Sequence, residues 1–149
     1  MKILFVCSGN TCRSPLAEAI ARRVIENAGR KDVEVSSAGT SAWEGSPASD
    51  GALLVGMERG LDLSAHRSRP LTAQLLSEAD VVLVMSPSHL SHVKEMDPRA
   101  NAHLLAGFTS GKDGRAVQDP FGGDLTAYRE TVDDLEKELA LLLDRIPAP

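Results

Sequence analysis

The chain opens on an apolar run, Ile3-Leu4-Phe5-Val6 after Lys2, that turns polar at once. A run so short and so rich in strand formers predicts a buried strand over 2–6. Leu16, Ala19, Ile20, Val24 and Ala28 then recur at helical spacing, with Ser14 as a candidate cap, Pro15 suited to the first turn and Gly29 as the stop. A second short strand is predicted over 33–37, followed by a loop over 38–47 in which Gly, Ser and Pro crowd around Trp43. A helix over 49–58 closes at Gly60, and Thr72 caps a short one reaching Leu76. Asp80-Val81-Val82-Leu83-Val84 is the clearest buried strand. Pro87 starts a helix that Pro98 ends, and residues 102–105 read as a fourth strand. Residues 107–114 read as a loop. Leu125, Tyr128, Val132, Leu135, Leu139, Leu142 and Ile146 then fall three and four apart, the stripe of one amphipathic helix docking on a core.

Strands alternating with helices predict an α/β fold, an open parallel sheet covered by helices on both faces. No internal repeat or linker interrupts residues 1–149, so a single domain is expected. In such sheets ligands bind at the carboxyl ends of strands, and the first strand runs directly into Cys7.

Composition narrows the classes. With 42% hydrophobic and 25% charged residues the chain is an ordinary globular one. A net charge of −5 argues against a nucleic-acid partner, which demands a basic face. The opening apolar run is too short for a signal core or a membrane span, so the expected address is the cytoplasm. Two cysteines, Cys7 and Cys12, are too few and too close to staple a secreted fold, which points to thiol chemistry.

The segment Cys7-Ser8-Gly9-Asn10-Thr11-Cys12-Arg13-Ser14 sets a thiol and a guanidinium at the ends of a short loop feeding a helix N-terminus. Backbone N–H groups of Ser8 to Ser14 can turn inward around a tetrahedral dianion, Gly9 relaxes the backbone, and Arg13 adds a forked, permanent donor. The same field favours thiolate over thiol, making Cys7 a nucleophile. The bland alternative is a buried cysteine ending a strand beside a surface arginine.

These residues resemble the low-molecular-weight protein phosphatases, whose motif is Cys, five residues, Arg, then Ser. Ser37-Ala38-Gly39-Thr40, His66 and Asp119-Pro120-Phe121 also stand where that family has matching elements. The resemblance implies a four-stranded parallel sheet and two-step hydrolysis through a phosphocysteine on Cys7, with neither metal nor cofactor. It selects Asp119, rather than the equivalent-looking Asp97-Pro98, as the acid that protonates the leaving atom and then the base that takes a proton from water. It implies that Asn10 and His66 brace the loop. Ser14 is expected both to cap the helix and to hydrogen-bond the Cys7 sulfur, with a plain cap as the bland alternative. A reversible Cys7–Cys12 disulfide is a further expectation.

For the substrate, Thr11 resembles the bacterial protein-arginine phosphatases, as does Asp119-Pro120-Phe121-Gly122-Gly123, whereas tyrosine-directed members typically carry Ile or Leu in place of Thr11. A threonine wall offers a hydroxyl to a guanidinium where Ile suits a phenyl ring. Phe121 can stack on either, and Trp43 either lines the cleft rim or anchors its loop. Phosphorylated proteins are thus the expected partners, phosphoarginine ahead of phosphotyrosine, for a monomer. Among the rivals, arsenate reductases share the loop but relay through three cysteines. A metal module would draw on His89 and His92 with Cys7 and Cys12, yet the histidine spacing equally describes one face of a solvated helix. A phosphoprotein-binding module without turnover would not need both Cys7 and Asp119. Asp133, Asp134, Glu136 and Glu138 read as the solvated face of the last helix.

Overall fold

A computed structural model describes residues 1–111 and 114–149. The opening apolar run is strand β1 (Lys2–Cys7), followed by helix α1 (Arg13–Asn27), β2 (Glu34–Gly39), α2 (Asp50–Glu58), α3 (Ala73–Glu78), β3 (Val81–Val84), α4 (Pro87–Met96), β4 (Ala102–Leu104), α5 (Leu105–Ser110) and α6 (Leu125–Leu139), with a 3₁₀ turn at Leu142–Arg145. The strands form one four-stranded sheet in the order β2-β1-β3-β4, every neighbouring pair parallel. β1 is central, with Ile3 opposite Val81 on one side and Val35 on the other.

Alternation along β1 explains the two-sided cover. Ile3, Phe5 and Cys7 join a core with Leu16, Ile20, Val55, Leu135 and Leu139, so α1, α2 and α6 pack on that face. Leu4 and Val6 point the other way, into a smaller core with Leu76 of α3 and Val93 of α4. Strands buried on both faces read as unbroken apolar runs, which is why β1 and β3 stand out in sequence.

The boundaries differ from expectation where tertiary contacts decide. Ser14 does not cap α1: Cys12 is the N-cap, without a side-chain hydrogen bond, and Ser14 sits in the first turn. β2 starts at Glu34 and continues past Ser37 to Gly39, because Ala38 and Gly39 pair with Val6 and Cys7. Thr72 caps α3 through its hydroxyl as expected, Ser49 caps α2 in the same way, and α3 extends to Glu78. The expected loop over 107–114 overlaps helix α5, which buries Leu105, Ala106 and Thr109 and ends on Gly111 in the left-handed conformation; positions 112 and 113 of that loop lie outside the described residues. Three buried positions are too few for a helical period to show in sequence. The apolar stripe of the last segment is buried as expected apart from the half-buried Leu125, but α6 stops at Leu139 and the 3₁₀ turn keeps Leu142 inside. Among the described residues no helix is long and apolar enough to cross a membrane.

Candidate active site

Cys7 ends β1 at the carboxyl edge of the sheet, and Ser8 to Cys12 curl from it to the start of α1. The curl is held from outside by the end of β2. Thr40 N–H donates to Cys7 O at 2.9 Å and Ser41 N–H to Ser8 O at 2.9 Å. Gly39 lies so close beneath the loop that a Cβ there would sit 2.4 Å from Ser8 O and 2.9 Å from Asn10 N.

Asn10 is the hinge of the curl and, apart from glycines, the one residue with positive φ among those described, at 56°. Asn tolerates that region better than most side chains, and here its amide is fully consumed. Nδ2 donates to Ser14 Oγ at 2.8 Å and Ser37 Oγ at 2.9 Å, while Oδ1 accepts from Arg69 N–H at 3.0 Å. His66 Nε2 lies 2.7 Å from Asn10 O, and Ser37 in turn donates to Glu18 Oε1 at 2.7 Å.

Direction follows from this network. Ser14 Oγ accepts from Asn10, so its own hydrogen is available for Cys7 Sγ, 2.9 Å away. A hydroxyl donating to sulfur stabilises negative charge on it, both before attack and on departure.

Arg13 is buried, 6% exposed, and its guanidinium spans the loop to the segment before α6: NH1 donates to Val117 O at 3.1 Å and NH2 approaches Asp119 Oδ2 at 3.5 Å. That segment is pinned in turn. Val117 N–H reaches Met85 O at 2.8 Å, Thr131 reaches Gln118 O at 3.2 Å, and Arg115 is ion-paired with Asp134 and Glu138 of α6, each at 2.9 Å. Glu138 is therefore not part of a solvated face: it is 1% exposed and also accepts from Thr109 at 2.6 Å. Burial opposes its charge, but hydrogen bonds from Thr109, Ser110 and Arg115 outweigh it, holding the carboxyl below its usual range. Asp133 and Glu136 pair with Arg59.

Together these elements enclose a cavity of about 260 Å³ lined by Cys7, Ser8, Gly9, Thr11, Cys12, Arg13, Ser41, Asp119 and Phe121. The Cys7 thiol, the Arg13 guanidinium and the Asp119 carboxyl thus meet in one cleft. Phe121 stands at its rim, 73% exposed; Trp43 is 82% exposed and does not line it. Asn10, Ser14 and His66 lie behind the loop rather than in the cleft. Cys7 and Cys12 are both free thiols, and Cys12 Sγ lies 3.2 Å from Ser49 Oγ and 3.5 Å from Tyr128 OH. Burial, with the bond to Cys12, pushes the Tyr128 phenol up.

Sequence reasoning missed Ser41, a cleft wall one residue beyond the Ser37-Ala38-Gly39-Thr40 stretch, and misjudged His89. Far from a solvated face, His89 is buried with both ring nitrogens at serine hydroxyls, Ser8 and Ser86. Among the described residues, no three His, Cys, Asp or Glu side chains are grouped to hold a metal ion.

A family model described as low molecular weight phosphotyrosine protein phosphatase matches residues 2–148. A protein-arginine-phosphatase of Geobacillus stearothermophilus is 44% identical, over 97% of this chain and 93% of the relative. Of the solved structures, the YwlE arginine phosphatase, as a cysteine-to-serine mutant with a phosphorylated active-site serine, superposes with a TM-score of 0.91 at 37% identity, over 97% of this chain and 94% of that one. A low molecular weight protein tyrosine phosphatase from T. tengcongensis does so equally, at 0.91 and 39% identity, over 98% and 99%.

Proposed function

The chain belongs to the low molecular weight phosphotyrosine protein phosphatase family, and from that premise we propose that residues 1–149 form one phosphatase domain that hydrolyses phosphoarginine in proteins, with Cys7 as nucleophile, Arg13 as phosphoryl clamp and Asp119 as proton donor and acceptor. One observation carries the assignment: Cys7 Sγ, with its Ser14 hydroxyl at 2.9 Å, shares a cavity with the Arg13 guanidinium and the Asp119 carboxyl.

A phosphoryl group seated over the loop meets the inward N–H groups of Ser8 to Ser14, the N-terminus of α1 and Arg13. Arg13 turns from its long 3.5 Å contact with Asp119 to the phosphoryl oxygens, which frees the carboxyl for the leaving atom. Cys7 sulfur attacks phosphorus; the S–P bond forms as the P–N bond to the guanidinium breaks, and the departing nitrogen takes its proton from Asp119. Water then attacks phosphorus, Asp119 takes the water's proton, the S–P bond breaks, and the thiolate leaves against the Ser14 hydroxyl. Inorganic phosphate departs. The balance closes with water as the sole co-reactant, so no cofactor is called for.

Arginine is favoured because Thr11 presents a hydroxyl in the cavity wall, where a guanidinium offers donors and a phenyl ring offers none. The relative named a protein-arginine-phosphatase, at 44% identity, supports the same choice. Phosphotyrosine is the second reading, supported by the T. tengcongensis tyrosine phosphatase; Phe121 at the rim suits either substrate. We place the enzyme in the cytoplasm as a monomer acting on phosphorylated proteins.

The test is phosphate release, with chelator present, from matched peptides bearing phosphoarginine, phosphotyrosine or phosphoserine. Phosphoarginine should give the highest kcat/KM and Cys7→Ser should be inactive. A lead for phosphotyrosine would keep the mechanism and overturn the substrate; no Cys7-dependent turnover would overturn both.

A further inference from the structure

His89 takes no part in the steps above, yet it is 3% exposed and touches the catalytic loop. Nε2 lies 2.8 Å from Ser8 Oγ and Nδ1 lies 2.8 Å from Ser86 Oγ. Ser8 directly follows the nucleophile at the end of β1. Ser86 is the N-cap of α4, two residues beyond the end of neighbouring β3. The imidazole therefore ties together the carboxyl ends of two adjacent strands at the point where the loop begins.

A ring that bridges two hydroxyls while staying neutral donates through one nitrogen and accepts through the other. Burial, then the nearby Arg13 guanidinium and His92, push His89 down to about 4 against the opposing pull of Asp119, so it is neutral at physiological pH. A histidine retained only for packing would account for the burial. It would not account for both nitrogens being spent on hydroxyls, one belonging to a residue that lines the cavity over Cys7.

We infer that His89 is a positioning residue for the phosphate loop, acting through Ser8: the Nε2–Oγ bond fixes the first residue of the loop, and with it the amide groups presented to the phosphoryl oxygens. Ser8 is exposed and lines the cavity, so without that bond its side chain is free to rotate. Donors fixed in advance bind a dianion without an ordering cost, and that cost returns when the tether is cut. This role rests on the reading of Cys7 to Ser14 as a phosphate loop.

The experiment is a double-mutant cycle read by titration of inorganic phosphate into the full-length protein, followed by amide chemical shifts, with kcat/KM on a small aryl phosphate in parallel. His89→Leu should weaken phosphate binding by about tenfold, the equilibrium worth of one hydrogen bond. Ser8→Ala should do much the same, and the double variant should be no more than about twofold weaker than Ser8→Ala. His89→Gln, whose amide reaches the Nε2 position, should recover most of the affinity although the ring is gone. The inference is overturned if His89→Leu costs as much in the Ser8→Ala background as in the wild type, or leaves phosphate affinity unchanged. If His89→Leu does not fold, His89→Asn, whose amide falls short of Ser8, takes its place in the cycle. Phosphate binding with no Cys7-dependent turnover of phosphorylated peptides rejects the proposed function and leaves this role standing; an additive cycle in an active enzyme rejects this role alone.

Discussion

Thr11 and Asn10 are neighbours with opposite duties. Asn10 adopts a φ of 56° that costs a non-glycine residue about 1 kcal/mol or more. Four hydrogen bonds, from both ends of its side chain and from its carbonyl, hold it there. Thr11 lines the cavity, its hydroxyl 3.8 Å from Cys12 Sγ, and forms a polar wall whose worth depends on what the substrate brings. Replacing it with an apolar wall removes a partner for a guanidinium and adds surface for a ring. Thr11→Ile should therefore shift the ratio of kcat/KM for phosphoarginine over phosphotyrosine peptides toward tyrosine by about tenfold or more. An unchanged ratio in steady-state kinetics would mean that selection lies elsewhere on the cleft wall.

Among the elements, the end of β2 does most to shape the loop, although no residue of β2 lines the cleft. Gly39 pairs with Cys7 and comes within van der Waals reach of both Ser8 and Asn10. Its added Cβ would meet backbone atoms, at 2.4 Å from Ser8 O, and backbone of a braced loop cannot rotate aside as a side chain could. Gly39→Ala should cost about 2 kcal/mol of stability, the usual scale of overpacking. Activity should fall more steeply than that, because the displaced atoms are those of the phosphate loop. Urea unfolding and kcat/KM measured on the same protein separate the two effects; a variant with full activity would show that the loop shifts as a rigid unit. At the far side of the cleft α6 plays the matching part, holding the Asp119 segment through Arg115, Asp134, Glu138 and Thr131.

At the scale of the whole molecule, stability inherits the protonation of His89. Its folded value of about 4 lies below the ordinary 6.5, so the unfolded chain takes up the proton first as pH falls. Stability contributed by the neutral ring is complete above 6.5, is lost through the window down to about 4, and changes no further below it. The loss from this group is on the order of 1–3 kcal/mol. Urea unfolding at about pH 7 and about pH 4.5 should show a larger decline in the wild type than in His89→Gln, with carboxylates elsewhere contributing equally to both. Arg13, Asp119 and His92 are the charged or titratable neighbours that set the shift, and all three remain in the variant. Equal declines would mean that the ring is protonated within the fold near its ordinary value.

The amino-acid sequence alone determined the parallel α/β architecture, because strands buried on both faces must be continuously apolar and the helices between them must carry stripes. It was enough to single out the proposed phosphate loop as well, since Cys7 to Ser14 is contiguous and its chemistry needs no distant partner to be legible. Asp119, the proposed acid, was singled out only through family resemblance: in sequence it is one Asp-Pro among two, and it lies 106 positions along the chain from Arg13. Tertiary structure alone decided the rest. Ser14 as a donor to sulfur rather than a helix cap depends on where Asn10 points. Glu138 as a buried ion-pair partner depends on Arg115 arriving from the preceding segment. His89 shares its helix with the exposed His92, and only the packing of α4 against the ends of β1 and β3 distinguishes the two. Hydrophobic period reports which face of an element is buried. It is silent on which polar side chains meet across elements, because those meetings are set by the sheet order and the loops between strands.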